Sequence, residues 1–483
     1  LSNSWVSSIL LPAVLRPWTP LRPLRRVFVW WNELSPQGLF VASFALLIAA
    51  ATAGLLWLPG LYVGPRLGPL DALFTATSAV CVTGLVVVDT ATYFTFWGQL
   101  WLLAFIQLGG LGLFSLTTLI IGGMGRRLSL RSEVIAGVSP ELTYRRSVVA
   151  LTFQVARFTL LAESAGALVL FLFWVPEFGL LEGAWHAVFH AISAFCNAGF
   201  STFSDSLMGF SRRPFSLLVI SALVIAGGLG FLAIDEVTRW YKGGAFRGRL
   251  RLSSHTAAAT TVSATLLLVG AVLFAIFEWN GVLAPFGPVD KVVNAWFMSV
   301  TPRTAGFNAI SYAEVGNGAA YLTVLLMAIG GSPGSTAGGI KTTALAVLGA
   351  LAFARIRGRR HVVLHGRSIP EATVERTVSL ALIAFVALTA AVFVLSALEA
   401  RGAYGAEAHQ SFLPHLFEAT SALATVGLSM DVTSGLGTAG RALLIPLMFM
   451  GRVGPLAFFA AISLRSSAYP RDLRPAREDI IVG

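Results

Sequence analysis

Charge is scarce in this chain. Only 12% of its 483 residues are Asp, Glu, Lys or Arg, against 56% hydrophobic. A soluble protein of this length needs a far more polar surface, so lipid is the solvent expected for most of it. Cysteine is nearly absent too: Cys81 and Cys196 exclude a disulfide framework or a multi-cysteine metal site. No Ser/His/Asp set, kinase motif or Rossmann fingerprint stands in a coherent context, and no organic cofactor is expected. An intramembrane enzyme would need catalytic groups converging at membrane depth, and none stands out.

What is present is long apolar runs. Leu39 to Leu58 carries no charge and can cross a hydrocarbon layer of ~30 Å. Further runs lie near 98–121, 150–175, 215–234, 257–277, 320–354, 378–398 and 441–464, making eight candidate spans. Residues 1–38 are interrupted by Pro12, Pro17, Pro20, Pro23 and several arginines. They lack a compact apolar core with a small-residue cleavage site, so they read as a peripheral arm and not a signal peptide.

The net charge of +11 could suggest nucleic acid, but its distribution does not. Basic residues cluster at 16–26, 126–146, 239–251, 355–376 and 465–477. The alternate loops hold only Arg66, Arg212, Arg213, Lys291, Arg303, Arg401 and Arg441, among many acids. This is the positive-inside pattern of a multi-pass plasma-membrane protein with both termini cytoplasmic, and no nucleic-acid partner is expected.

Four segments align on a glycine: FTATSAVCVTG ending at Gly84, FHAISAFCNAG at Gly199, WFMSVTPRTAG at Gly306 and FEATSALATVG at Gly427. The glycines lie 115, 107 and 121 residues apart, each followed by Leu or Phe and each between two apolar runs. Internal duplication of this kind is common in transport folds. Each unit reads as spanning helix, half-helix, extended segment, spanning helix. The half-helices at 69–80, 183–195, 290–300 and 409–422 are too short to cross a bilayer and must return. The fold expected is an all-α membrane protein of four pseudo-symmetric repeats around one central pore. The repeats occupy 39–125, 126–240, 241–355 and 356–465, with a cytoplasmic tail at 466–483. Glycine at the tip of each extended segment frees carbonyl oxygens to face a dehydrated cation such as potassium. The competing reading is that small residues merely permit tight helix packing.

This pattern resembles the Trk/Ktr/HKT superfamily of cation transporters over residues ~36–483, and its KtrB branch in particular. TrkH-type members carry an extra pair of helices before the first repeat, which the arm does not supply; the ending REDIIVG at 477–483 is also KtrB-like. The resemblance implies a potassium-selective filter made by Val82, Thr83, Gly84, Asn197, Ala198, Gly199, Thr304, Ala305, Gly306, Thr425, Val426 and Gly427. It also implies potassium as substrate with sodium a candidate activator, a homodimer in membrane lipid, and a cytoplasmic ring of nucleotide-binding regulatory subunits. Sodium- or proton-coupled symport through the same pore is the alternative. The third segment departs from the others in Pro302 and Arg303, and Arg303 is expected to anchor its loop on backbone carbonyls.

Five glycines and a proline fall within residues 330–341, between the apolar stretches 321–329 and 342–354, and cannot sustain a helix. By the resemblance this break, with Gly330, Gly331, Ser332, Gly334, Ser335, Thr336, Gly338, Gly339 and Lys341, is an intramembrane gate; a passive hinge is the plainer reading. It lacks the ending of a phosphate-binding loop. Arg452 lies within an apolar run, where a charge is costly and faces a cavity, carbonyls or an acid. In the family the matching arginine opposes cation passage below the filter. His186 and His190 have metal-ligand spacing but no third ligand, and read as packing residues. Glu163 and Glu418 read as hydrogen-bonded structural acids.

Overall fold

The computed structural model describes residues 36–123, 148–242, 252–399, 406–455 and 458. The arm up to residue 35, the basic cluster 126–146, residues 243–251 and the tail 466–483 lie outside the described residues.

In chain order the helices are α1 (Pro36–Trp57), α2 (Pro69–Val80), α3 (Thr90–Tyr93), α4 (Phe96–Gly123), α5 (Val148–Phe178), α6 (Leu180–Cys196), α7 (Pro214–Leu229) and α8 (Phe231–Lys242). There follow α9 (Ser254–Glu278), α10 (Pro288–Val300), α11 (Asn317–Ala328), α12 (Thr342–Ile356), α13 (Glu371–Glu399), α14 (Ala406–Ala424) and α15 (Thr438–Val453). Between α12 and α13 a small hairpin pairs β1 (Val363–Leu364) with β2 (Arg367–Ser368). Its two-residue loop, His365-Gly366, has both φ angles positive, the geometry that suits the strand twist. The sequence reading did not anticipate this hairpin.

Among the described residues α1, α5, α9 and α13 contain stretches long and apolar enough to cross a membrane; α4, α11 and α12 contribute shorter apolar stretches. Their outer faces leave Leu160, Leu168, Leu172, Phe385 and Phe393 exposed, which water would penalise and lipid does not. The short helices α2, α6, α10 and α14 are instead the interior, with Phe74, Phe189, Phe297 and Phe417 fully buried. Local chemistry places their starts. Proline at the first turn, after Gly68 and Gly287, opens α2 and α10, and Asp71 and Asp290 sit where the helix dipole favours an acid.

Each short helix packs on the long helix before it and on one helix of another unit, and α2, α6 and α14 also pack on the long helix after them. The additional neighbours are α15 for α2, α4 for α6, α7 for α10 and α11 for α14. The order is cyclic: every short helix touches the second long helix of the unit before it, and the last unit precedes the first.

Among the described residues three apolar runs are not continuous helices; in the run 441–464 the helix ends at Val453, before Gly454 with φ 95°. The run 320–354 breaks at the glycine-rich stretch between α11 and α12, as the composition predicts. The run 215–234 also breaks, where the sequence reading treated it as one span. Gly230, with φ 78°, separates α7 from α8, and the two helices meet at a bend of 99°.

Candidate functional site

Each short helix ends within six residues of its glycine, and the chain then takes the same uncommon conformation. Two residues before each glycine φ is positive: 55° at Val82, 60° at Asn197, 72° at Thr304 and 52° at Thr425. The glycines follow at 92°, 70°, 79° and 94°. Three of the four preceding residues are β-branched, for which this region costs about 1–3 kcal/mol and persists only where the surroundings impose it. The surroundings are hydrogen bonds back into the helix ends. Thr83 N donates to Ser78 O at 2.8 Å, Ala198 N to Ser193 O at 2.7 Å, and Val426 N to Ser421 O at 2.8 Å. Side-chain hydroxyls complete the turns. Ser78 and Ser421 each accept from the glycine N–H at 3.0 Å, while Ser193 donates to Phe200 O at 2.7 Å. In the third segment Thr301, one residue nearer the glycine, donates to Phe307 O at 2.7 Å. The ungapped alignment of the third segment is therefore shifted by one residue at its hydroxyl.

The four segments meet. A Cβ added to Gly84 would strike the carbonyl oxygen of Ala198, one on Gly199 that of Ala305, one on Gly306 that of Val426, and one on Gly427 that of Thr83. Each glycine thus faces the residue preceding the next glycine, and the fourth returns to the first. Only hydrogen at Cα permits this approach at all four places.

On one side of this ring lies a cavity of about 300 Å³ bounded by all four glycines. Asp89, Asp205 and Asp431 line it with Ser201, Ser429 and Thr433, and none of its lining residues is basic. Its rim is tied between units. Ser204 donates to Asp89 at 2.6 Å, Asn308 N to Ser206 Oγ at 3.1 Å, and Arg441 bridges Asp71 and the Ser434 carbonyl at 2.9 Å each. Two buried groups brace it from behind. His190 Nε2 pairs with Ser201 Oγ at 2.9 Å, and Glu418 accepts from Ser429 at 2.9 Å and from Thr433. His190 and Glu418 each precede their glycine by nine residues, and Ser201 and Ser429 each follow it by two. The other nitrogen of His190 meets the His186 carbonyl at 2.8 Å, and His186 pairs with Thr202 at 2.6 Å, which fits the packing role expected of both.

On the opposite side of the ring sits the break between α11 and α12. It folds back on itself: Gly330 N donates to Ile340 O at 2.8 Å, and Thr342 N to Gly331 O at 3.1 Å. Ser332 N and Thr336 N donate to the carbonyls of Gly228 and Gly227 in α7, and Thr336 Oγ1 to Phe195 O at 3.1 Å. Lys341 Nζ donates to the Ala337 carbonyl at 2.5 Å. Gly338 lies against Thr425, and Gly330 against Thr304. The break therefore touches the second, third and fourth segments directly and is tied to α7 as well.

Arg452, near the end of α15, is buried, and its guanidinium donates to the carbonyls of Thr336 in the break and Gly109 in α4, the latter at 2.5 Å. Its face lies 5.9 Å from the ring centroid of Phe44. Its hydrogen-bond partners among the described residues are thus carbonyls. Asp235 pairs with Arg239, and Glu236 bonds Ser253 and Thr256. Arg303 anchors as expected, donating to Ser263 O at 3.2 Å and Gly330 O at 3.0 Å. Glu163 is also satisfied: Gln107 donates to it at 3.0 Å.

A further regularity escaped the sequence reading. Second-helix glycines Gly109, Gly227 and Gly451 each face the carbonyl four residues before a segment glycine, those of Val80, Phe195 and Leu423. Gly109, Gly227 and Gly330 are followed by another glycine, whereas Gly451 is followed by Arg452. The doublets lie 24–28 residues beyond the segment glycines and could have been found by extending the internal alignment. Asp89 and Asp431 were missed for a different reason, because loop acids carry no pattern of their own.

A mostly helical bundle of apolar helices around a ring of backbone carbonyls is the architecture of an integral membrane transport protein. The chain belongs to the TrkH family, cation transport proteins, which it matches over residues 39–471. It is 35% identical to the potassium/sodium uptake protein NtpJ of Enterococcus hirae, over 94% of this chain and 98% of that protein. It is 37% identical to the Ktr system potassium uptake protein B of Vibrio alginolyticus (87% and 90% covered) and 35% identical to that of Bacillus subtilis (92% and 97%). The crystal structure of the potassium transporter TrkH from Vibrio parahaemolyticus shares the fold, with a TM-score of 0.69 at 19% identity, covering 92% of this chain and 89% of that one.

Proposed function

We propose that this chain is the ion-translocating subunit of a potassium uptake system, with four helix–half-helix–helix repeats around one pore. The observation that carries the reading is the closed order of the four glycines, each against the carbonyl of the next segment. Rings of carbonyl oxygens can replace the hydration shell of a cation, and the helix ends behind them add partial negative charge. The filter is Val82–Gly84, Asn197–Gly199, Thr304–Gly306 and Thr425–Gly427. Three aspartates in the outer cavity raise the local cation concentration. The break 330–341 is the gate, and Arg452 adds a positive charge where a cation would emerge. Relatives named as potassium uptake proteins support the choice of ion.

An inside-negative potential supplies ~2.3 kcal/mol per charge per 100 mV, so inward flux requires no covalent chemistry in this chain. We read it as a transporter and not an enzyme, with both termini cytoplasmic. It works as a homodimer and answers to a nucleotide-binding regulatory partner, as the multi-component Ktr naming of its relatives suggests. The second reading is sodium-coupled potassium uptake, favoured by the potassium/sodium name of the E. hirae relative. Potassium flux into proteoliposomes, with and without sodium, tests both. Conduction without sodium supports the channel-like reading, an absolute sodium requirement favours symport, and no potassium flux in either condition overturns the assignment.

A further inference from the structure

Among the four segments, only the third has a long side chain three residues before its glycine. The equivalents of Arg303 are Cys81, Cys196 and Ala424. The third unit is also the one whose second helix is interrupted by the glycine-rich break. Arg303 joins these two peculiarities. It is buried, at 7% exposure, and its NH2 group donates to the carbonyl of Gly330, the first residue of the break. The same guanidinium holds the Ser263 carbonyl at 3.2 Å and the Ser263 hydroxyl at 3.3 Å on α9, which fixes it from the other side. Thr304, the neighbouring residue with φ 72°, lies against Gly330 as well.

Packing alone does not bind the break to this wall. A cavity of about 20 Å³ lies beside the guanidinium, bounded by Gly228, Ser263, Val300 and Gly331. Hydrogen bonds from a planar fork, together with the contact of Thr304 on Gly330, hold the two parts in register. Such a fork is geometrically specific, and a lysine at the same place offers only a point charge on a flexible stem.

We propose that Arg303 is a positioning residue that couples the gate to the filter: opening the break at Gly330 releases one arm of the guanidinium, and the third glycine segment loosens with it. This rests on reading the ring as filter and the break as gate. It goes beyond an anchoring role, because an anchor would stabilise the third segment whatever the state of the break.

The test uses the full chain in proteoliposomes without a partner protein, measuring potassium flux, the potassium-to-sodium flux ratio and thermal stability. Arg303→Gln is expected to raise flux about tenfold and to lower the flux ratio. In a background lacking Ser332–Ala337 the same substitution is expected to leave flux unchanged, because Gly330 remains but the obstructing part of the break that it would release is gone. Equal fold-changes in both backgrounds, or a stable Arg303→Gln protein with parental flux and selectivity, would overturn the coupling. Should Arg303→Gln fail to fold, Arg303→Lys serves, with hydrogen exchange as the readout. The amides of Gly330, Ser332, Thr336 and Thr342 are expected to exchange faster, and unchanged protection sinks the proposal. Gly84→Ser, far from Arg303 in sequence and in another segment, is the control on the underlying reading. If Gly84→Ser leaves selectivity unaltered, the filter assignment fails, independently of the link through Arg303.

Discussion

At Gly84 a side chain has no space. Its Cβ would strike the Ala198 carbonyl, and φ of 92° lies where a Cβ costs about 1–2 kcal/mol even in open surroundings. Gly84→Ser is therefore expected to lower the melting temperature and admit more sodium, since one quarter of the carbonyl ring must shift. Paired potassium and sodium fluxes on the folded variant check this; an unchanged ratio would remove Gly84 from the filter. Arg452→Gln is a contest between two terms. Two charge-assisted hydrogen bonds contribute about 1.5–3 kcal/mol each, and a charge at membrane depth costs about 2.5–3.5 kcal/mol. Glutamine keeps one donor for a carbonyl, so the net stability change is expected to be small. Flux without a partner should rise, and a stable variant with parental flux would leave Arg452 as a tie between helices. Glu418 holds Ser429 and Thr433 at the cavity wall. Glu418→Ala is expected to raise the apparent KM for potassium several-fold with the maximal flux largely kept, the mark of a disturbed outer mouth; a parental KM would confine Glu418 to stability.

At the scale of elements, the break between α11 and α12 is meshed with the bend between α7 and α8. Ser332 and Thr336 bond to Gly228 and Gly227, and a Cβ on Gly230 would come 2.7 Å from the Gly334 carbonyl. The break is thus clasped by the second unit as well as by Arg303 and Arg452. Gly230→Ala must pay for positive φ and push against the break, so a loss of about 1–2 kcal/mol and altered flux without a partner are expected. Gly349→Ala, in α12 with open space around it, should be neutral or stabilising by up to about 1 kcal/mol. Thermal unfolding and flux of the two variants separate a specific clash from a general effect of replacing glycine. Equal behaviour would mean that the bend does not restrain the break.

For the whole molecule, the reading requires the aspartate-lined cavity and the break to face opposite compartments. A cysteine replacing exposed Gly318, at the start of α11, should react only from outside, and one replacing exposed Gly358, after α12, only from the cytoplasm. Cys81 and Cys196 are buried and give little background. Reversed or two-sided labelling would overturn the topology.

Much of this architecture was legible along the chain. Apolar runs, the four glycine-ended segments and the impossibility of a helix through 330–341 follow from local composition, because lipid solvation, helix propensity and glycine's backbone freedom act within a few residues. The half-helices begin within three residues of their expected starts. The bend at Gly230 was not legible, since glycines in an apolar run are ordinarily tolerated; here the Gly334 carbonyl presses against it from the break between α11 and α12. Nor could the partners of Arg452 be read, because Thr336 and Gly109 lie 116 and 343 residues away in sequence. The sequence by itself determined where the apolar runs and short helices lie, the four glycine-ended segments and the break at 330–341. The tertiary structure decided the cyclic order of the glycines, the bracing of the mouth by His190 and Glu418, and the clasping of the break, because these contacts exist only once separate units pack.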